Sequence, residues 1–334
     1  MSQGATLPYH QRQNKHVERH LFVDILRLVE RWNPLRSYLY VGFGGIYFED
    51  FKLLHDQFGI DKMISLEQEA WMLPRQEVNL PYGCIAPRHE TSAEFIRNIE
   101  ASKVQYPGAA NYLIWLDYVV SKELPNQLDE VRALVPRLNP GDILKVTIPG
   151  NPRWLNKGSG SQLENRLDNL KNRVGSAYLA EGLTEGDVRD DALPAVLLGA
   201  LKRKLAEAMA ESPAFAFQPL GCYVYRDSVT MLTATGIVLD KGDIGAFLDR
   251  THFRDFELAS PDWALHSISV PDLSLREKLV LDKLLFRQAD RRSAAEIGAE
   301  LGFQFEEDGD ESAALIESYI KFYRYYPNYH RVQL

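Results

Sequence analysis

The sequence holds two cysteines in 334 residues, Cys84 and Cys222. Two isolated thiols cannot build a disulfide framework, and they lack the spacing of a zinc ligand set. That usage predicts a reducing, cytosolic compartment. Positive charge is also in short supply: 38 Lys and Arg face 46 Asp and Glu, a formal net charge of -8. The balance disfavours nucleic acid or an anionic membrane as a partner of the whole chain. No apolar run is long enough to span a bilayer. The first residues, "MSQGATLPYHQRQNKHVERH", have no apolar signal core, so no secretory leader is expected. No internal repeat or low-complexity tract is evident. What remains is ordinary globular composition, 45% hydrophobic and 25% charged, long enough for two domains or one large domain with an appendage.

Residues 17–32 repeat apolar side chains at helical spacing, Leu21, Ile25, Leu28 and Val29, and predict an amphipathic helix. "YLYVGF" then reads as a short buried strand. "FEDFKLLHDQFG" reads as a helix stopped by Gly59, and "DKMISLE" as a second strand. "YGCIAP" is a third strand, "TSAEFIRNIEA" a helix and "NYLIWLDY" a fourth strand. A helix follows, with Leu128, Val131, Val135 and Leu138 on one face and a break near Pro136 or Pro140. "GDILKVTIPG" is the fifth strand. Short apolar strands alternating with helices predict a mostly parallel, doubly wound α/β sheet covered on both faces.

Four regions are expected. Residues 1–34 form a helical lead, and 35–150 with 215–241 form the sheet core. Residues 151–214 open with the polar loop "NPRWLNKGSGSQ" and form a helical insertion. Residues 242–334 are mostly helical. "CYVY" and "VTMLTATGIVL" flank Arg226, Asp227 and Ser228 as a hairpin. From Asp243 onward, eleven Lys and Arg face seventeen Asp and Glu, which argues against DNA contact despite a helix-turn-helix rhythm. A packing or partner-binding helical module is the expectation there. Ser293 and Glu296 form a capping box, and Gly302 is a stop. In "YIKFYRYYPNYHRV", Tyr319, Phe322 and Tyr326 recur at helical spacing and predict burial rather than base stacking.

The stretch "SYLYVGFGGIYFEDF" sets Gly42, Gly44 and Gly45 directly after a buried strand and before a helix. Glycine there allows positive φ and close ligand approach, and the helix offers unpaired N–H groups. The pattern is not a full G-x-G-x-x-G fingerprint, and a purely structural turn is the competing reading. Glu67 ends the next strand, where an acid can accept both ribose hydroxyls of a nucleoside cofactor; Glu69 is a nearby competitor. In "APRHETSAEF", Thr91 and Glu94 suit a capping box, and His89 and Glu90 lie where a purine could be bracketed, with Glu90 the better cofactor contact. Asp117 and Tyr118 leave the fourth strand at its carboxyl end. Asp117 there faces a reacting centre or caps the following segment.

These segments together resemble the class I S-adenosylmethionine-dependent methyltransferase fold. The resemblance rests on "YLYVGFGG", "MISLE", "NYLIWLDY", "VPRLNPGDILKVTIPG" and the terminal hairpin "YVYRDSVTMLTATGIVL", whose last strand would be antiparallel. It implies S-adenosylmethionine as cofactor, with Gly42, Gly44 and Gly45 cradling the methionine portion and Glu67 on the ribose. Asp117 would then stand near the methyl group, orienting the acceptor or, with His89 as a rival, taking its proton. The methyl acceptor is a small molecule or a protein, and the helical additions could serve a partner or a second copy. Three departures accompany the match. Tyr40 stands where many members carry an acid, strand four lacks Asn/Asp-Pro-Pro-Tyr, and no Pro-Cys nucleophile exists, Cys84 reading as a buried strand residue. They leave open a catalytically reduced, ligand-sensing or partner-binding relative of the same fold. A dinucleotide oxidoreductase is the third reading, disfavoured by the incomplete fingerprint.

Overall fold

The protein is described by a computed structural model covering residues 12–156, 162–285 and 292–327. The start of the chain, the end of the "NPRWLNKGSGSQ" loop and the last residues of the aromatic run lie outside the described residues. The elements in order are α1 (Gln13–Val29), β1 (Leu39–Gly42), α2 (Glu49–Phe58), β2 (Met63–Glu67), α3 (Leu73–Val78), β3 (Ile85–His89), α4 (Ser92–Arg97), α5 (Ile99–Val104) and β4 (Tyr112–Asp117). Then come α6 (Leu124–Leu134), β5 (Ile143–Pro149), α7 (Gln162–Val174), α8 (Leu193–Met209), β6 (Phe215–Arg226), β7 (Thr230–Asp240), α9 (Ile244–Thr251) and β8 (Leu265–Ile268). Three helices close the described chain: α10 (Leu275–Leu285), α11 (Ala294–Leu301) and α12 (Gly309–Phe322).

All eight strands join one sheet in the order β3-β2-β1-β4-β5-β7-β6-β8. Pairings from β3 through β5 are parallel, and β7 runs antiparallel to β5. The fold is therefore the mostly parallel, doubly wound α/β arrangement expected of class I methyltransferases, closed by a hairpin and followed by helices. The chain leaves β1 toward β2 and β3, then returns to the other side of β1 as β4. Such a reversal opens a crevice at the carboxyl ends of the two central strands.

The central strands read as apolar runs because both faces are covered. Every residue of β1 and β5 is buried, and in β4 only Asp117 escapes full burial. The β5 run includes Lys145, which is fully buried with its ammonium 3.9 Å from the Trp115 ring centre and 4.0 Å from that of Phe22. Trp115 donates its indole N–H to Thr147 (3.0 Å), and Thr147 donates to Thr233 (3.2 Å). A cation between two aromatic faces and a closed hydroxyl chain let polar residues occupy the middle of the sheet.

Local signals set most element ends. Gly59 stops α2 at φ +64, Thr91 and Glu94 close a reciprocal capping box on α4, and Pro136 turns the end of α6 into a 3₁₀ turn. Two boundaries differ from expectation. The third strand begins at Ile85, so Cys84 is a half-buried turn residue ahead of the strand and not a buried strand residue. Residues Leu265–Ile268 add an eighth strand within the region expected to be mostly helical.

The chain gathers into two compact units. One holds Phe22–Val224 and Val229–His266; the other holds residues up to Leu21, Tyr225–Ser228 and Ser267 onward. In the second unit, the hairpin-turn residue Asp227 caps α1: its carboxylate accepts the N–H groups of Asn14 (3.1 Å) and Lys15 (3.2 Å). The Asn14 side chain donates to the Arg226 carbonyl and accepts the Val270 N–H, each at 2.8 Å. Ser293 and Glu296 close the expected capping box on α11, and Tyr319, Phe322 and Tyr326 are buried. Removing the carboxylate strands two helix N–H groups, so Asp227→Ala should cost about 1–2 kcal/mol, read as a lowered urea midpoint.

Candidate functional site

The loop after β1 is shaped by side chains before it is shaped for a ligand. A Cβ on Gly42 would lie 2.5 Å from the Tyr40 hydroxyl, and that hydroxyl donates to the buried Asp50 carboxylate of α2 (2.5 Å). A Cβ on Gly44 would lie 2.5 Å from the Phe48 ring and 2.6 Å from the Ser65 hydroxyl. Both glycines are thus required by packing. Gly45 differs: it has φ +55, it is exposed, and nothing stands within 4 Å of where its Cβ would be. Phe48, buried and also left-handed at φ +50, starts α2 and bends the chain a second time. A bulky residue held there stores backbone strain, which the Phe51 and Gly44 contacts sustain.

The Gly44 N–H donates to the Ser65 hydroxyl (3.1 Å), and Ser65 donates in turn to Oε1 of Gln76 on α3 (3.1 Å). The other end of the same amide donates to Oε2 of Glu67 (3.0 Å), whose Oε1 accepts the Glu69 N–H (2.9 Å). Ser65 and Gln76 are fully buried, while Glu67 is half-buried at the carboxyl end of β2. Each Glu67 oxygen therefore accepts one hydrogen bond inside the protein and has a second acceptor position. Glu69 is exposed and contributes its backbone to Glu67.

Glu90 follows β3 directly beside Glu67: its N–H donates to the Glu67 carbonyl (3.0 Å). Burial pushes its carboxyl above the usual range, and the Arg88 guanidinium 3.9 Å away opposes that rise. His89 is exposed and uses Nε2–H on the Gln68 carbonyl (3.1 Å), which fixes its tautomer. Asp117, half-buried, ends β4 opposite Thr147 of β5. Val41 pairs with Ile114, so Asp117 lies three residues beyond the level of Val41, on the same edge as Gly45 and Glu67. Tyr118 is committed elsewhere. Its hydroxyl donates to Glu130 (2.6 Å), which also accepts Ser92 (2.6 Å), and burial holds the phenol well above its usual range.

The carboxyl edge thus presents Gly45, Glu67, Glu90 and Asp117, while Gly42 and Gly44 serve the loop from beneath. Sequence reasoning missed Ser65, Gln76 and Asp50. Ser65 was the available signal, a hydroxyl inside the otherwise apolar "MISLE" that had to find a partner. The first turn of α2 carries Glu49 and Asp50, which complement the helix dipole and repel a phosphate. Paired acceptor positions on Glu67 with no phosphate cradle beside them suit a nucleoside bearing a free diol.

Two other concavities lie elsewhere. One, of about 580 Å³, is lined by Arg12, Asn14, Asp227, Asp272 and Glu306, and the other, of about 520 Å³, by Met209, Phe215, Phe217 and Trp263. Neither includes the glycine turn, Glu67, Glu90 or Asp117. Among the described residues no cluster of His, Cys, Asp and Glu could hold a metal ion, and no helix is long and apolar enough to cross a membrane.

A family model described as "Putative O-methyltransferase" matches residues 7–334. Among solved structures, a SAM-dependent methyltransferase from Anabaena variabilis is 13% identical over 69% of this chain and 87% of its own, with a TM-score of 0.36. The N-methyltransferase NodS from Bradyrhizobium japonicum is 14% identical over 67% of this chain and 97% of its own, with a TM-score of 0.34. No curated protein matches the chain.

Two outcomes follow from the geometry. Gly44→Ala forces a methyl into the Phe48 ring and the Ser65 hydroxyl, and should cost about 1–3 kcal/mol in urea denaturation. Glu90 is an acid held above its ordinary value, so its ionisation costs stability as pH rises through the elevated value and costs nothing below the ordinary one. Glu90→Gln should therefore raise the thermal midpoint at neutral pH, with the gain vanishing as pH falls below the ordinary carboxylate range.

Proposed function

The chain belongs to this O-methyltransferase family, and on that premise we propose that it transfers a methyl group from S-adenosylmethionine to an oxygen of an acceptor bound at the carboxyl edge of the sheet. The observation that carries the reading is the pair of unused acceptor positions on Glu67, half-buried beside the glycine turn. In this reading Glu67 accepts the two ribose hydroxyls. The open, left-handed turn at Gly45 receives the methionine end, and Glu90 flanks the purine.

When bound, S-adenosylmethionine supplies an electrophilic methyl carbon on a sulfonium. Asp117, at the carboxyl end of β4, would orient the acceptor hydroxyl and take up its proton at a carboxylate oxygen. His89, turned onto a backbone carbonyl, is the poorer candidate for that proton. The acids at the start of α2 count against a dinucleotide, whose phosphates would sit there.

A ligand-sensing or partner-binding role on the same fold is favoured by one observation. Tyr40 points its hydroxyl to Asp50, so no carboxylate from β1 is offered to the cofactor amine. Calorimetry with S-adenosylhomocysteine and transfer from methyl-labelled S-adenosylmethionine into a source extract separate the two readings. Wild type should bind, and Glu67→Gln should bind about tenfold more weakly or worse. Asp117→Asn should keep binding but lose about a hundredfold in transfer. Failure of folded wild type to bind would defeat methyl transfer and ligand sensing and leave the partner-binding role, and binding without transfer to any extract component would select ligand sensing.

A further inference from the structure

We propose that Gln76 is a positioning residue of the cofactor site, setting the Glu67 carboxylate and the glycine turn in one fixed relation. The proposal rests on the methyltransferase reading and adds to it a residue that touches neither cofactor nor acceptor.

The hydrogen-bond chain fixes its own polarity. The Gly44 N–H can only donate, so Ser65 Oγ accepts it and has its single proton left to give. That proton goes to Gln76, which must therefore turn Oε1 toward Ser65. The Glu67 carboxylate can only accept, so it must meet the amide nitrogen. The carboxylate permits one orientation of the amide, and Ser65, with a proton to give, fits the same one. Gln76 is fully buried, so an amide turned the other way would set oxygen against carboxylate and leave the Ser65 proton without its acceptor.

The chain has a reach that a packing residue would not need. It starts at the backbone of the loop expected to receive the methionine end and finishes on the acid expected to receive the ribose. One carboxylate oxygen is held by Gln76 and the other by the Glu69 N–H, so the plane of the carboxylate is set by two donors from different elements. The lone pairs left for the ribose then point in directions chosen by Gln76. Replacing the amide by an apolar side chain of similar length leaves Glu67 present but held at one oxygen only, by the Glu69 N–H, and freer to rotate about its last bonds. Such a carboxylate loses its preference for a vicinal diol before it loses the cofactor altogether.

The test compares calorimetric affinities for S-adenosylhomocysteine and its 2′,3′-dideoxyribose analogue in wild type, Glu67→Gln and Gln76→Met. Wild type should prefer the diol by about tenfold or more, as charge-assisted hydrogen bonds allow. Gln76→Met should lower that ratio toward the Glu67→Gln value while both ligands still bind. A general structural defect would weaken both ligands alike and keep the ratio, and that result in folded protein overturns the proposal. Ser65→Ala breaks the chain on the far side of Gln76 with almost no change in volume; should Gln76→Met not fold, a lowered ratio in this variant supports the proposal and an unchanged one overturns it. Wild type that binds no S-adenosylhomocysteine would instead defeat the methyltransferase reading itself, whereas wild type that binds with no preference for the diol would overturn the positioning role alone.

Discussion

The carboxyl edge depends on one requirement: polar groups sealed beneath a sheet covered on both faces must find partners among themselves. Ser65 sits in the middle of β2 with no access to water, and Gln76 is equally enclosed. Joined to the Gly44 N–H and the Glu67 carboxylate, they satisfy one another at a cost the surrounding apolar packing offsets. The arrangement explains why the glycine turn and the acid of the second strand share one geometry although Glu67 lies 23 positions after Gly44. It also gives Gly44 a role different from the one its position suggests. The missing side chain makes room for Phe48 and Ser65, and the open, left-handed position belongs to Gly45.

Much of the scaffold was legible in the sequence because its determinants are local. "LYVG", "MISLE", "YLIWLD" and "ILKVTIP" announce buried strands by composition alone, and Gly59, Thr91 and Ser293 mark helix ends with residues that few other roles favour. The third strand was misjudged because it is only half covered. Arg88 and His89 extend it to the edge with polar side chains, so its pattern fades where the reading stopped. The four residues of β8 alternate too briefly to signal a strand. Gln76 was illegible for a different reason. In the six-residue helix "LPRQEV" it looks like any solvent-facing amide, and only the tertiary fold turns it inward.

Tyr40 illustrates how a departure from a family pattern can be re-read. In the sequence it appears as an acid lost from β1. In the fold, its phenol reaches Asp50 from the helix that follows, so a carboxylate remains close to the strand but one side chain removed and buried. The same two acids at the start of α2 that engage Tyr40 and Lys52 give the helix N-terminus a negative lining. Oriented peptide dipoles that elsewhere hold phosphates are here answered by the protein itself.

The cap that Asp227 places on α1 has a consequence for the order in which the chain matures. Asn14 and Asp227 stand 213 residues apart. A ribosome adding roughly 5–20 residues per second needs about 10–40 s to cover that interval. For that time the Asn14 and Lys15 N–H groups lack the Asp227 carboxylate. The first of the described helices is thus completed only once β6 has been made. During the interval a nascent chain exposes a frayed first turn of α1 to chaperones and proteases, until the β6–β7 hairpin arrives to close it.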